Sequence, residues 1–196
     1  ESPADEKLMA AFNARMKKAR AKLKPWQDPK ALFARVKWLW SLPLGEPGYI
    51  ARHVIPNVAA GAQKSGRSPS DIALIVPVMT IVGDSDEERH RERELVRASM
   101  SFYGSTPNYA FIWDEAGFEG TTARIREKQK AGDFAGMAAQ ITDEHIDTFA
   151  TESTWDGLAD ALTVKYGGIA TRIALYNALG DPDRVERYGA VARSLG

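Results

Sequence analysis

The sequence predicts an α/β fold, rich in helix and with few, parallel strands. Three observations carry this prediction. From residue 37 onward strand-like and helix-like patterns alternate, the order that right-handed crossovers between parallel strands require. Ile72–Val82 is an almost unbroken apolar run, which suits a strand buried on both faces of a parallel sheet. Helical stretches also far outnumber the three strand candidates, at 37–42, 72–82 and 169–175.

Composition bounds the function classes. The chain has 196 residues, 44% of them hydrophobic, enough to bury a core unaided. Its 26 basic and 26 acidic side chains cancel, which removes the electrostatic footprint of a nucleic-acid binder. With no cysteine there is no disulfide framework, thiol nucleophile or cysteine-ligated metal. No apolar run approaches the roughly 20 residues that span a bilayer. The first residue is not Met and no apolar signal-peptide core follows it, so the expectation is a cytoplasmic protein or a processed or trimmed chain.

The elements follow in order. Leu8, Met9, Phe12, Met16 and Leu23 recur at helical spacing, which predicts a helix over 5–24, ended by Pro25. Its last turns are strongly basic, from Arg15 to Lys24. Such an end suits an acidic partner or anionic lipid, and equally a solvated helix end whose cations complement the dipole. The Lys24–Pro29 stretch is the expected boundary between an extension, 1–28, and the main body, 29–196. A short helix over 30–36 leads into the strand at 37–42. An amphipathic helix over 48–65 follows, with Ile50, Val54, Ile55 and Val58 on one face, a kink expected at Pro56 and a stop at Ser65-Gly66.

After the 72–82 strand, Asp84 or Ser85 caps a highly charged helix over 85–103. Gly104 to Tyr109 is a turn cluster between apolar stretches. Helices are expected over 119–130, 133–149 and 155–166, the last capped by Ser153 or Thr154 and ended by Gly167-Gly168. A closing helix over 182–194 opens on Pro182.

Catalytic signatures are sparse. The sequence has no phosphate-binding loop, three-glycine dinucleotide fingerprint or Gly-x-Ser-x-Gly elbow. Asp143, Glu144, His145 and Asp147 form the densest set of metal-ligand types. The spacing puts Asp143 and Asp147 on one helix face but turns His145 elsewhere, so helix-surface charge is the better reading. His53 and His90 stand alone. The segment Ser101–Trp113 is more informative, because it gathers Phe102, Tyr103, Tyr109, Phe111 and Trp113 around a Gly-Ser-Thr-Pro turn. Rings beside hydroxyl and backbone donors suit a planar ligand, or else an aromatic minicore that pins a long connection.

Several ordered segments carry a family resemblance. They are Tyr49-Ile-Ala-Arg-His-Val-Ile-Pro-Asn-Val58, Ser65-Gly66-Arg67, Ile75-Val-Pro-Val78, Val82-Gly83-Asp84 and Phe102-Tyr-Gly-Ser-Thr-Pro-Asn-Tyr109. Ala138-Ala-Gln-Ile-Thr-Asp-Glu144 and Tyr166-Gly-Gly-Ile-Ala-Thr-Arg172 complete the series. From about Pro43 onward the chain resembles the C-terminal part of luciferase-like monooxygenases, closest to their deazaflavin-dependent oxidoreductase branch.

The resemblance implies part of a (β/α)8 barrel, an incomplete one, with its site at the C-terminal ends of the strands. It implies hydride transfer between deazaflavin (coenzyme F-420) or FMN and a small organic substrate. Tyr103, Gly104, Ser105, Thr106 and Tyr109 are the implied cofactor contacts. It further implies a chain incomplete by itself, completed by a protein partner or by self-association. A non-catalytic family remnant serving as an interaction or structural subunit is the alternative. Two motifs depart from the family pattern. Trp38, Trp40 and Leu42-Pro43 stand where an Asp-Gly and a His-Pro are usual, and Glu152-Ser-Thr-Trp155 replaces a Gly-Thr-Pro turn.

Overall fold

Strand β2 (Ala73–Val82) organises the fold, and its apolar run is buried from Val76 onward. In the computed structural model the residues described are 38–40, 45–176 and 182–196. The expected helices over 5–24 and 30–36, with the basic helix end and the boundary near residue 28, lie outside them.

Three strands pair with β2, all in parallel. β1 (Trp38–Trp40) runs from Trp38↔Ala73 to Trp40↔Ile75. β4 (Arg172–Leu175) runs from Ile75↔Arg172 to Val78↔Leu175. β3 (Ala150–Ser153) takes the second half, from Met79↔Ala150 to Val82↔Ser153. Pro77, which has no N–H to give a ladder, falls after the last β1 pair and before the first β3 pair. It sits where the strand has one neighbour instead of two.

The two faces of β2 belong to two cores. Leu74, Val76, Val78 and Val82 pack with Ile50, with Leu158, Leu162 and Tyr166 of α7 (Leu158–Tyr166), and with Tyr188 and Val191 of α8 (Pro182–Ser194). Met79 and Ile81 face the other way. They join residues of the helical insertion between β2 and β3, including Val96, Met100, Ile112, Trp113, Ile125 and Phe149. Alternation along the strand therefore serves two apolar layers, which is why the run is continuous. Thr80, fully buried on the α8 side, pairs its hydroxyl with the Tyr188 hydroxyl at 2.7 Å.

The long amphipathic helix is real but not uniform. A turn at Pro47–Tyr49 opens it, a π-helical turn spans Ile50–Val54, and α1 (Ile55–Lys64) completes it. Pro56 lacks the N–H that would bond the Arg52 carbonyl, so the expected kink takes the form of this widened turn. Asn57 Nδ2 donates to the His53 carbonyl at 2.7 Å, giving that group a partner.

The insertion comprises α2 (Asp86–Gly104), α3 (Ala110–Glu115), α4 (Thr121–Lys130), α5 (Phe134–Ala138) and α6 (Asp143–Phe149). Of the two expected caps for α2, Ser85 serves, in a capping box with Glu88. The end of α2 lies tight against α3 and α4. A Cβ on Gly104 would come within 2.7 Å of Ile125 Cδ1 and 3.1 Å of the Trp113 ring. On the charged side of α2, Arg93 reaches Asp143 at 3.2 Å, Asp147 at 2.5 Å and Glu152 at 2.5 Å. Arg97 also meets Asp143, at 2.6 Å.

Four expectations need correction. The helix expected over 133–149 is two, because Thr142 caps a new start: its hydroxyl pairs with His145 Nδ1 at 2.7 Å in a capping box. Ala150–Ser153 is a fourth strand. Four partly polar residues carry no readable period, and pairing with β2 alone makes them a strand. Ala110–Glu115 is helical where a connection was expected. The helix expected over 155–166 starts at Leu158 with Gly157 at its cap, while Thr154 Oγ1 accepts the Gly157 N–H at 3.2 Å in a local turn.

His145 is buried, stacked on Phe118 at 4.0 Å and bonded through Nε2 to Thr121 Oγ1 at 3.1 Å. Burial, then the nearby Arg124 charge, pushes its pKa down from 6.5 to about 4. The unfolded chain takes up this proton near pH 6.5, whereas the folded protein does not until about pH 4. The contribution is therefore full above pH 6.5 and lost as pH falls towards 4. Denaturant titrations are expected to show wild type losing on the order of 2 kcal/mol more than His145→Asn between about pH 7 and pH 4.5. Equal losses would refute the assignment. At the end of α2, Gly104→Ala is expected to cost about 1–3 kcal/mol by overpacking against Trp113 and Ile125, read as a lower denaturation midpoint.

Candidate functional site

The aromatic turn is positioned by α2, which carries Tyr103 and Gly104 in its last turn. Ser105 caps that helix: its hydroxyl donates to the Phe102 carbonyl at 2.8 Å and accepts from Gln129 Nε2 at 3.3 Å. Arg126 donates to the Ser105 carbonyl at 3.3 Å. Thr106 opens a short 3-10 turn, Pro107–Tyr109, and its carbonyl accepts the Tyr109 N–H at 2.9 Å. Tyr103 and Tyr109 are half-buried and pack against the insertion core.

Within this group the residues divide by role. Gly104 and Ser105 are buried and engaged in packing or capping. Tyr103 reaches outward: its ring meets the edge of Phe102 at 5.6 Å and of Tyr176 at 5.9 Å. Tyr176 directly follows β4, and its N–H donates to the Val78 carbonyl at 3.0 Å. It is 40% exposed. The turn thus brings Tyr103 to the C-terminal end of a parallel strand, the end where α/β sheets hold their ligands. Sequence reasoning missed Tyr176, although its place just past a strand is the signal that could have found it.

A second group lies across the same turn. Tyr49 stacks near His53 at 4.8 Å and near Phe111 of α3 at 5.4 Å. His53 Nε2 lies 3.0 Å from Glu115 Oε2, so the lone histidine has a partner 62 residues away. This pair links the π-helical turn after β1 to the insertion. A groove of about 770 Å³ lies beside it between α3 and α4, lined by Pro107, Ala110, Asp114, Arg126, Glu127 and Lys130 among others. Its charges balance, and neither Tyr103 nor Tyr109 lines it.

The metal-type cluster is dispersed. Asp143 and Asp147 face the α2 arginines, and hydrogen bonds from Arg97 and Arg93 hold the Asp143 carboxyl below the usual carboxylate range. His145 turns inward to the two threonines.

At the end of β4, Tyr103 and Tyr176 present an apolar ring surface of the kind that flat heterocycles pack against. A phosphate does not fit the ends of β2 and β3. There Trp155 is 8% exposed and packs on Tyr188 at 4.8 Å, while its N–H donates to Asp84 Oδ1 at 3.3 Å. Asp84 Oδ2 accepts from Arg187 Nη2 at 2.7 Å, and Glu88 Oε2 accepts the Asp84 N–H at 2.8 Å.

Comparison with known proteins agrees with this architecture. Residues 30–172 match the luciferase-like monooxygenase family. Uncharacterized proteins of Mycobacterium bovis and Mycobacterium tuberculosis are each 28% identical over 131 residues, 67% of this chain and 38% of theirs. The coenzyme F-420-dependent tetrahydromethanopterin reductase of Methanopyrus kandleri shares the fold with a TM-score of 0.64 and 16% identity, over 87% of this chain and 47% of its own. The chain spans less than half the length of these relatives. A helix-rich sheet of parallel strands, with an aromatic site beyond one strand end, accords with the match across well over half of the sequence: the chain belongs to the luciferase-like monooxygenase family.

Proposed function

We propose that this polypeptide forms part of an oxidoreductase that moves a hydride between a flavin or deazaflavin and a small organic substrate. The observation that carries the reading is the meeting of Tyr103 with Tyr176 beyond the end of β4. When bound, a cofactor of this class would donate or accept the hydride. The chain supplies one wall: two half-buried rings, edge to face, against which a flat heterocycle packs and from which it excludes water. Tyr109, like Tyr103, packs against the insertion core. Family membership and the fold shared with an F-420-dependent reductase support the cofactor class.

The four described strands, β1, β3 and β4 each paired in parallel with β2, are too few to close an eight-stranded barrel. Further strands, from a partner chain or from more of the same polypeptide, complete the pocket in this reading. A second reading, an interaction subunit without catalysis, draws on the closed ends of β2 and β3.

Titration of the protein, purified with whatever accompanies it, with FMN and with F-420 tests the first reading. Saturable quenching of cofactor fluorescence is expected for one of them. Tyr103→Ala and Tyr176→Ala are each expected to weaken it by roughly 3- to 10-fold. Absence of binding to either cofactor would overturn this reading in favour of the interaction subunit. Native mass measurement is expected to give a species larger than the 21.5 kDa chain, and a lone monomer would argue against completion by a partner.

A further inference from the structure

The C-terminal ends of β2 and β3 have the ingredients of an anion site. Parallel strands end side by side, and α2, a helix of 19 residues, begins three residues beyond β2 with its N–H groups pointing outward. A guanidinium, that of Arg187, lies above the indole of Trp155 at 4.4 Å, on a rigid platform made with Tyr188. In eight-stranded barrels such strand ends often hold a phosphate.

Here the backbone N–H of Trp155, Nη2 of Arg187 and the N–H groups of Asp84 and Ser85 are each engaged by a carboxylate of the chain. Asp84 takes the Trp155 N–H with Oδ1 and Arg187 Nη2 with Oδ2. Glu88 takes the N–H groups of Asp84 and Ser85, at 2.8 and 3.4 Å. Beside them, Arg184 is held by both carboxylate oxygens of Glu92, at 2.6 and 2.8 Å. The adjoining cavity of about 250 Å³ has room for a small anion, but Glu88 and Glu92 face it together with Arg91 and Arg184. Gly83 permits the arrangement, since a Cβ there would come within 2.5 Å of Glu88 Cβ.

We infer that Asp84 is a built-in anion: its carboxylate takes the position at the ends of β2 and β3 that a phosphate would otherwise take, and so excludes phosphate-bearing ligands from this end of the sheet. The Arg187 hydrogen bond holds the Asp84 carboxyl below the usual carboxylate range, which favours its charged form. Specificity follows from repulsion. A phosphate approaching Arg187 must displace Asp84 and then sit beside it, a like-charge contact that a neutral residue would not impose. The inference goes beyond the hydride-transfer reading and does not depend on it. Any phosphate tail of a ring bound at Tyr103 and Tyr176 must be held by groups other than these strand ends.

Thermal unfolding in inorganic phosphate, against sodium chloride of equal ionic strength, tests the inference without any cofactor. Wild type is expected to be indifferent to phosphate. Asp84→Ala and Asp84→Ser, which empty the niche and release Arg187, are expected to gain a saturable rise of roughly 2 °C or more at millimolar phosphate. A variant that does not fold alone is expected to be rescued by phosphate. Adding Arg187→Gln is expected to abolish the gain. Saturable protection of wild type, or variants that phosphate neither stabilises nor rescues, would overturn the inference.

Discussion

The structure depends on the burial of β2 from both sides. A strand with one apolar face organises one layer. Here Val76 and Val78 look to α7 and α8, while Met79 and Ile81 look to the insertion, so one ten-residue strand joins two cores. Each core alone is small, and sharing the strand lets the burial of one support the other. Parallel pairing makes the same demand, because the crossovers that return the chain to a parallel neighbour must lie on a face of the sheet.

The insertion is held by means other than periodic apolar packing alone. Arg93 gathers three carboxylates from α6 and β3, and His145 ties the start of α6 to α4 through Thr121. These contacts join residues 24 to 59 positions apart. They orient α2, whose last turn then presents Tyr103 to the end of β4. The aromatic site is thus a consequence of how the insertion is anchored.

The two strand ends have opposite characters. At β4, the exposed ring surface of Tyr176 beside Tyr103 suits a flat, weakly polar group. At β2 and β3, donors, carboxylates and guanidiniums are matched internally, and Trp155 fills the space that a small residue would leave open. The two ends lie on different loops, so their chemistry can vary independently on one fold.

Local pattern was enough for much of the fold. The unbroken run in β2, the Ser85 cap with its acidic first turn, the Gly168 stop and the Pro182 start each express short-range chemistry. The resemblance carried by segments such as Tyr49–Val58 identified the family. The five proposed contacts lie in one segment, but that Gly104 packs on Ile125 and Ser105 bonds Gln129 was not legible, because those partners lie more than 20 residues away.

By itself the sequence determined the α/β class, the buried central strand and the family, all of which follow from periodicity, caps and ordered motifs. Only the tertiary structure decided that Ala150–Ser153 is a strand, that His145 lies inside, that Tyr176 meets Tyr103 and that Asp84 accepts from Trp155 and Arg187. Each of these rests on partners distant in sequence: strand pairing, burial and charge neutralisation are properties of what folding brings together, and no local window contains both halves of the interaction.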